Sequence, residues 1–467
     1  MYIQQIYTGC LSEAAYFIES NGVAAVVDPL RDIDAYIQLA KEKNAVIKYI
    51  FETHFHADFV SGHLDLAKQT GATIVYGPET ETNFPVHVAK DGEIFSLGDI
   101  TLQAIHTPGH TIESTCYLLK DESQKQHCIF TGDTLFVGDV GRPDLSSGDM
   151  TTEELASIMY DTINNKILPL PDDLIVYPAH GAGSSCGKNL GTDTFTTIGE
   201  QKNSNYALQQ QSREEFIKAV TSDLNDAPVY FAINAKINKE GYDSLAEVKA
   251  KGLTALSVED FKKKIKEDVV VLDTRNAAIF TQGFVPGSIF IGLEGRFAEW
   301  AGTLLSFEQR IILVTEKGME EETIIRLARV GFDKMEGYLQ GGFEAWKNAG
   351  ETIDLVIEVE PDELALDIKH DPKLTIVDVR RETEFGEGHI KNAINLPLSE
   401  MTDVAQIAAL DDDQNIYVHC AGGYRSVIAS SLIKRQGYHN LRNVVGGFNK
   451  IKEEKNIEIE KDASVLN

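Results

Sequence analysis

Thr53-His54-Phe55-His56-Ala57-Asp58 decides how the first half of the chain is read. The stretch follows an apolar, β-prone run, Val46-Ile47-Lys48-Tyr49-Ile50-Phe51, so two histidines and an aspartate are expected where a buried strand opens into a loop. A strand end fixes ligand positions while the loop leaves them open. Imidazole together with carboxylate suits a first-row transition ion, with zinc and iron(II) the two candidates. Three further stretches repeat the placement. His106-Thr107-Pro108-Gly109-His110-Thr111 follows the alternating run 100–105, Thr131-Gly132-Asp133-Thr134 follows the apolar run 128–130, and Tyr177-Pro178-Ala179-His180-Gly181 follows 174–176.

The series His-x-His-x-Asp, Thr-Pro-Gly-His, Thr-Gly-Asp and Pro-Ala-His resembles the metallo-β-lactamase superfamily over roughly the first half of the chain. The resemblance implies an αββα sandwich with a metal at one edge of its two sheets. Hydrolases of this superfamily of the glyoxalase II type extend the first motif to His-x-His-x-Asp-His and bind two metals. Here Phe59 follows Asp58. A phenyl ring cannot coordinate a cation, so a second metal site loses a ligand. What remains resembles the persulfide dioxygenase branch, whose members share Glu52-Thr53-His54-x-His56-Ala57-Asp58 and use a single iron. That resemblance makes His54, His110 and Asp133 the ligands of one Fe(II) per chain, the two-histidine, one-carboxylate face of a non-haem iron oxygenase. It also makes His56, Asp58 and His180 groups that orient ligands or substrate by hydrogen bonding; the other reading is that they are relics of a two-metal ancestor.

Length and composition bound the rest. A chain of 467 residues holds about three domains. Its 43% apolar and 25% charged residues are ordinary for a globular protein. With 43 Lys+Arg against 72 Asp+Glu the formal charge is -29. Such a surface repels phosphate backbones and anionic lipid, which argues against nucleic-acid and membrane partners. Lys262-Lys263-Lys264 reads as the solvated face of a short helix. Met1-Tyr2-Ile3-Gln4-Gln5-Ile6-Tyr7 lacks the basic start and apolar core of a signal peptide, and no apolar run reaches membrane-spanning length, so a cytoplasmic location is expected. Cys10, Cys116, Cys128, Cys186 and Cys420 are few, odd in number and widely spaced, as expected of free thiols in a reducing compartment.

Taken in order, residues 1–198 alternate β-prone and helix-like runs, as an α/β sandwich requires. Asp28-Pro29 reads as a turn ending the run 24–27, with an approach of Asp28 to the metal as its other reading, and 33–43 as an amphipathic helix. Gly138-Asp139-Val140-Gly141-Arg142-Pro143-Asp144 resembles a Gly-Arg-x-Asp loop beside the active site of the superfamily; Arg142 is expected in a structural ion pair, with the substrate pocket as its other place. Gly181-Ala182-Gly183-Ser184-Ser185-Cys186-Gly187-Lys188 leaves three roles open for Cys186: holding a persulfide, lining a pocket for a thiol substrate, or filling a tight turn. Cys10, Cys116 and Cys128 lie in or beside apolar runs and read as buried, inert thiols. The segment 201–256 is mostly helix-forming, with Asn225-Asp226-Ala227-Pro228 ending the helix over 214–220. It is expected to close the first domain near the metal edge, lead into a linker around 244–257, and offer apolar helices for a homo-oligomer.

The remainder is an internal repeat. Val269-Val270-Val271-Leu272-Asp273-Thr274-Arg275 aligns with Leu374-Thr375-Ile376-Val377-Asp378-Val379-Arg380, an offset of 105 from Asp273 to Asp378, and Gly341-Gly342-Phe343 falls on Gly446-Gly447-Phe448 at the same offset. Each copy has the pattern of a small α/β domain. In the second, the strand 415–419 runs into Cys420-Ala421-Gly422-Gly423-Tyr424-Arg425-Ser426 and then a helix over 427–436. A cysteine there faces backbone N–H groups and the positive end of a helix dipole, with Arg425 adding charge, a setting that stabilises anionic sulfur. The motif resembles the persulfide-binding active loop of rhodanese sulfurtransferases, with Cys420 and Arg425 catalytic. At the same offset the first copy has Thr315 and then Glu316-Lys317-Gly318-Met319-Glu320-Glu321, with no nucleophile, so it reads as an inactive rhodanese domain.

The expected organisation is therefore a dioxygenase-like domain over 1–245, an inactive rhodanese-like domain over 246–355 and an active one over 356–467. The whole resembles persulfide dioxygenase–sulfurtransferase fusions. The resemblance implies that O2 and a persulfide of glutathione or another thiol carrier react at Fe(II) to give sulfite, and that Cys420 passes sulfane sulfur to or from sulfite and thiosulfate. Two other functions stand beside it: a binuclear zinc thioester hydrolase, and a sulfur-binding module in which Cys420 alone works.

Overall fold

The computed structural model describes residues 1–145, 150–224, 226–411 and 413–462. They divide into two compact units, one of Met1–Glu247 with Ile325–Asp333, the other of Val248–Ile324 with Lys334–Asn467. The helix-ending turn expected to start at Asn225 begins outside the described residues.

In the first unit, strands β1 (Tyr2–Thr8), β2 (Glu13–Ser20), β3 (Val23–Val27), β4 (Val46–Phe51), β5 (Thr73–Tyr76) and β6 (His87–Val88) form one sheet in that order. Strands β7 (Ile94–Leu97), β8 (Ile100–His106), β9 (Thr115–Lys120), β10 (Gln126–Gly132), β11 (Ile175–Pro178) and β12 (Thr196–Thr197) form a second, in sequential order across the sheet. Period-2 alternation sends one face of each strand inward. Phe51, Phe95, Tyr117 and Phe130 fill the space between the sheets, with Phe51 and Tyr117 ring centroids 4.7 Å apart. The outward faces bury against helices: Tyr36 and Leu66 cover the first sheet, and Met159 and Phe216 the second. Two sheets between two helical layers are the αββα sandwich expected from the motifs.

The helical reading of 201–256 holds, with helices at Ile198–Ser204, Arg213–Thr221, Phe231–Glu240 and Leu245–Gly252. The last takes the place of the linker expected around 244–257, since Leu245 and Val248, three residues apart on one helical face, are both buried.

The second unit contains two parallel five-stranded sheets. In the first, β13 (Ala255–Leu256), β14 (Val270–Asp273), β15 (Ile289–Phe290), β16 (Ile311–Val314) and β17 (Met335–Leu339) are ordered β13-β17-β16-β14-β15. In the other, β18 (Ile357–Val359), β19 (Thr375–Asp378), β21 (Ile394–Asn395), β22 (Ile416–His419) and β23 (Leu441–Val444) are ordered β18-β23-β22-β19-β21, while β20 (His389–Ile390) pairs with β24 (Ile459–Glu460). The repeat read from sequence is thus a repeat of topology. One ion pair recurs with it. Arg275 clasps Asp273 at 2.6 Å and donates to the Gly283 carbonyl at 2.9 Å; Arg380 clasps Asp378 at 2.5 Å and donates to Gly388 at 2.7 Å. Among the described residues, no helix is long and apolar enough to cross a membrane.

Because Asp378 is fully buried and Arg380 nearly so, removing one partner leaves the other charge without compensation. Asp378→Ala should cost about 3–5 kcal/mol of stability, read as a lowered unfolding midpoint by calorimetry. An unchanged midpoint would show that the pair does not hold the sheet end together.

Candidate metal centre and sulfur loop

Four strand ends meet at one edge of the sandwich. Strand β4 leads into Thr53 to Asp58, β8 into Thr107 to His110, β10 into Asp133 and β11 into His180. Parallel pairing of β10 with β11, Gly132 opposite Pro178, brings Asp133 and His180 side by side. The first sheet's loop comes within reach through a bond from Thr115 N to the Thr53 carbonyl at 2.8 Å. Gly132 lies where the sheets meet, at φ +53; a Cβ there would stand 2.4 Å from Thr53 Oγ1. Gly141 is as constrained, since a Cβ would be 2.2 Å from the Asp133 carbonyl oxygen and 2.8 Å from His110 Nδ1.

Three side-chain atoms converge at this edge. Asp133 Oδ2 lies 3.7 Å from His54 Nε2 and 3.5 Å from His110 Nε2, and among the described residues it has no hydrogen-bond partner. Ligands about 2.1 Å from a shared ion are themselves about 3.0–3.5 Å apart, so the set fits a metal ion. The far side of each ligand is fixed. His110 Nδ1 donates to the Arg142 carbonyl at 2.7 Å, leaving its Nε2 lone pair free. Thr53 Oγ1 donates to Asp28 Oδ2 at 2.9 Å and so accepts from His54 Nδ1, also at 2.9 Å. Burial and the neighbouring His56 push His54 well below the ordinary histidine range, so its outward Nε2 is unprotonated. Burial pushes the Asp133 carboxyl up, but the His180 cation, which also hydrogen-bonds to it, outweighs burial and holds Asp133 well below the carboxylate range.

The other histidines of the motifs face elsewhere. His180 spans two carboxylates, with Nδ1 2.7 Å from Asp133 Oδ1 and Nε2 2.8 Å from Asp58 Oδ2; burial opposes its charge, yet the two anions raise it well above the ordinary range. His56 Nε2 is 3.1 Å from Asp28 Oδ1 and 3.4 Å from Glu52 Oε2, and its ring lies against Phe59 at 4.3 Å. Cys186 sits within 4.8 Å of ligand atoms on Asp58 and His180. It is buried, and burial with Asp58 and Asp133 nearby raises its thiol well above the usual range, so it stays protonated. Arg142 forms the expected ion pair, clasping Asp144 at 2.8 and 2.5 Å, and meets the site through its backbone carbonyl. Cys116 and Cys128 are buried as expected; Cys10 is only partly so, because it lies in the turn after β1.

Several residues here carry no motif signal. Asp28, whose simpler reading is a turn, is buried, adopts φ +50 and accepts from Thr53 N at 2.7 Å. Asn238, in the helix Phe231–Glu240, donates to the His56 and Phe59 carbonyls at 2.8 and 2.7 Å and accepts from Ser61 N at 2.9 Å, tying the closing helices to the metal edge. Neither type nor spacing marks them; only the folded loop does.

In the second unit, Cys420 directly follows β22 and is nearly inaccessible. Gly423 N donates to its sulfur at 3.1 Å, and the helix Tyr424–Arg435 starts at once. Ser426 Oγ donates to Gly423 O at 2.9 Å, while Phe448 N and Asn449 N donate to the Cys420 and Ala421 carbonyls. Gly447, at φ +56, permits that approach, since a Cβ would be 2.3 Å from Cys420 O. Ala421 and Gly422 complete the loop, Gly422 being exposed. Arg425 has a partner that the motif does not reveal. Its guanidinium is clasped by Glu384 at 2.7 and 2.8 Å, so its charge is engaged beside the loop. At the repeat offset the first copy has Glu320 for Arg425 and Ile279 for Glu384, so that pair has no counterpart there.

Comparison with known proteins agrees with this architecture. The model described as "Metallo-beta-lactamase superfamily" matches residues 8–180, and that described as "Rhodanese-like domain" matches 257–349 and 360–454. The chain belongs to the metallo-β-lactamase superfamily and carries two rhodanese-like domains after that domain. It is similar to the probable hydroxyacylglutathione hydrolase glo2 of Schizosaccharomyces pombe, 33% identical over 193 residues, covering 40% of this chain and 71% of that protein. It is also similar to the hydroxyacylglutathione hydrolase GloC of Haemophilus influenzae, 29% identical over 211 residues, 40% of this chain and 89% of that one. The crystal structure of a metallo-β-lactamase from Staphylococcus aureus subsp. aureus COL covers 73% of this chain and 98% of its own, at 33% identity and a TM-score of 0.64.

Two outcomes test the geometry. Thr53→Val removes the acceptor for His54 Nδ1 and should weaken metal binding about 10–100-fold, measured by competition with a chelator; unchanged affinity would mean that His54 is oriented by packing alone. The Arg425 guanidinium holds Glu384 down to about 2. A depressed carboxyl contributes stability above its unfolded value near 4.3 and loses it as pH falls toward about 2. Arg425→Gln should therefore flatten the acid limb of unfolding in that window, with only a modest effect at pH 7, because the pair is partly exposed.

Proposed function

We propose that the chain is a persulfide dioxygenase joined to a sulfurtransferase, with His54, His110 and Asp133 holding one Fe(II). The observation that carries this reading is the division among the histidines. His54 and His110 face Asp133 Oδ2, whereas His56 turns to Asp28 and Glu52 and His180 is held between Asp133 and Asp58. Phe59, fully buried against His56, occupies the motif position at which the resembling two-metal hydrolases carry a histidine. Three ligands on one face leave positions for two reactants.

Bound there, Fe(II) supplies the activation of dioxygen. The overall change is RSSH + O2 + H2O → RSH + SO3²⁻ + 2 H⁺, in which the terminal sulfur is oxidised and dioxygen reduced. The chain's own groups orient and exclude. Thr53 and the Arg142 carbonyl fix the two imidazoles, His180 holds Asp133 by its other oxygen, and Asp58 fixes His180 in turn. At the second site the Cys420 thiolate attacks the sulfane sulfur of thiosulfate. The S–S bond breaks, sulfite leaves with the electron pair and Cys420 becomes a persulfide; the Gly423 N–H and the helix start face the sulfur that carries the charge. In the reverse direction, sulfite made at the first site attacks the outer sulfur of the Cys420 persulfide, thiosulfate forms and the Cys420 thiolate leaves. The tether raises the local concentration of that sulfite.

The curated relatives support a second reading, a zinc thioester hydrolase acting through a metal-bound hydroxide, since both are hydroxyacylglutathione hydrolases. Metal content separates the two. The dioxygenase predicts about one iron per chain and oxygen uptake on adding glutathione persulfide; two zinc ions with thioester cleavage and no oxygen uptake would replace it. His110→Ala should abolish oxygen uptake and spare thiosulfate sulfurtransfer, and Cys420→Ser should do the reverse. Loss of both activities in either variant would sink the two-site assignment.

A further inference from the structure

The first rhodanese copy lacks a nucleophile, yet it grips the helix that carries the sulfur loop. Tyr424 Oη donates to Gly292 O at 2.8 Å, Phe290 N donates to Ser431 Oγ at 3.0 Å, and Arg435 Nη1 donates to Gly287 O at 2.8 Å. Lys434, nearly buried, pairs with Asp354 at 2.9 Å. These contacts run from the first residue of the helix to its last. A fixed helix start is what a sulfur loop needs, because its N–H groups point at the reacting sulfur only if the first turn is held.

The same copy reaches the rim of the loop. Gly295, at φ +84, lies beside Tyr424, where an added Cβ would be in ordinary contact with the ring at 3.6 Å. The next residue, Arg296, is exposed and pairs with Glu299. The Glu299 carboxyl, partly buried, also lies within electrostatic reach of Arg381 and Arg425 in the second copy. Glu299 thus joins Arg296 of the first copy to Arg381 and Arg425 of the second in one charged group, and Arg425 stands in the first turn of the helix that follows the Cys420 loop. Each guanidinium has five N–H donors, so one already paired with a carboxylate keeps donors to spare. Sulfite and thiosulfate are oxyanions approaching a chain of formal charge -29, which repels them everywhere that cations are not gathered.

We propose that the first rhodanese copy completes the acceptor side of the Cys420 site: its segment 292–299 forms one wall of the mouth, and Arg296 binds the oxygens of thiosulfate or sulfite together with Arg381. This rests on Cys420 being the sulfur-transfer nucleophile. The step is the exchange already written, in which the leaving or attacking sulfite carries the charge that Arg296 meets. Arg296 thereby sets affinity for the oxyanion, and the silent copy has a binding role in place of chemistry of its own.

The test is steady-state transfer from thiosulfate to cyanide by the full chain. Arg296→Glu should raise KM for thiosulfate about tenfold with kcat within about twofold, the signature of lost ground-state binding. Arg296→Lys should recover most of the affinity, since it keeps the charge without the planar fork. An unchanged KM in Arg296→Glu overturns the inference. If that variant unfolds at a lower temperature than the parent, Arg296→Gln decides instead, and an unchanged KM there overturns it equally. Sulfur transfer surviving in Cys420→Ser would instead remove the reading on which the inference stands.

Discussion

The carboxylate of Asp133 is taken wholly out of water, and the edge of the first unit is organised around that cost. An isolated buried carboxylate is destabilised by several kcal/mol. Here one oxygen is met by His180, while the other is left without a hydrogen bond and faced by two imidazole nitrogens. That asymmetry separates a structural anion from a ligand. It spreads outward, because His180 needs Asp58 on its far nitrogen, and His54 needs Thr53, which in turn needs Asp28. The two sheets must close to within a hydroxyl's width at Gly132 for these chains of bonds to join.

The two rhodanese-like copies share a fold but differ in one loop. Both keep the buried Asp–Arg clasp at the end of the same strand, and both use that arginine to hold a glycine carbonyl. That clasp belongs to the sheet end and remains in both. The loop after the next strand is under no such constraint, and there Cys420, Gly423 and Arg425 face Thr315, Gly318 and Glu320 at the repeat offset. The fold and the loop chemistry therefore rest on different residues, and the first can persist where the second changes.

Much of this was legible before any coordinates. Strand ends carrying His54, His110, Asp133 and His180 could be found because apolar runs and polar ligands alternate at fixed places along the chain, and an offset of 105 exposes the repeat without reference to any other protein. What stayed hidden depends on direction. His54 and His56 look equivalent in sequence, yet one faces Asp133 and the other Asp28 and Glu52, because residues two apart in a strand-like segment share a face only while the strand continues. Asp28 and Asn238 are distant in sequence from the motif they support, and Glu384 is 41 residues from Arg425. Contacts of that kind follow from packing and leave no local pattern.

Asp28 illustrates where such a site stores strain. Its backbone lies at φ +50, a region that costs a non-glycine residue of order 1–3 kcal/mol, although aspartate tolerates it better than most. The twist turns the carboxylate back onto Thr53, two of whose atoms it receives, so that the aim of His54 is set by a residue in another strand connection. Glycine at this position would relax the backbone and release the imidazole. Backbone strain at residue 28 and the aim of the His54 imidazole are therefore coupled through the two atoms of Thr53 that the Asp28 carboxylate receives.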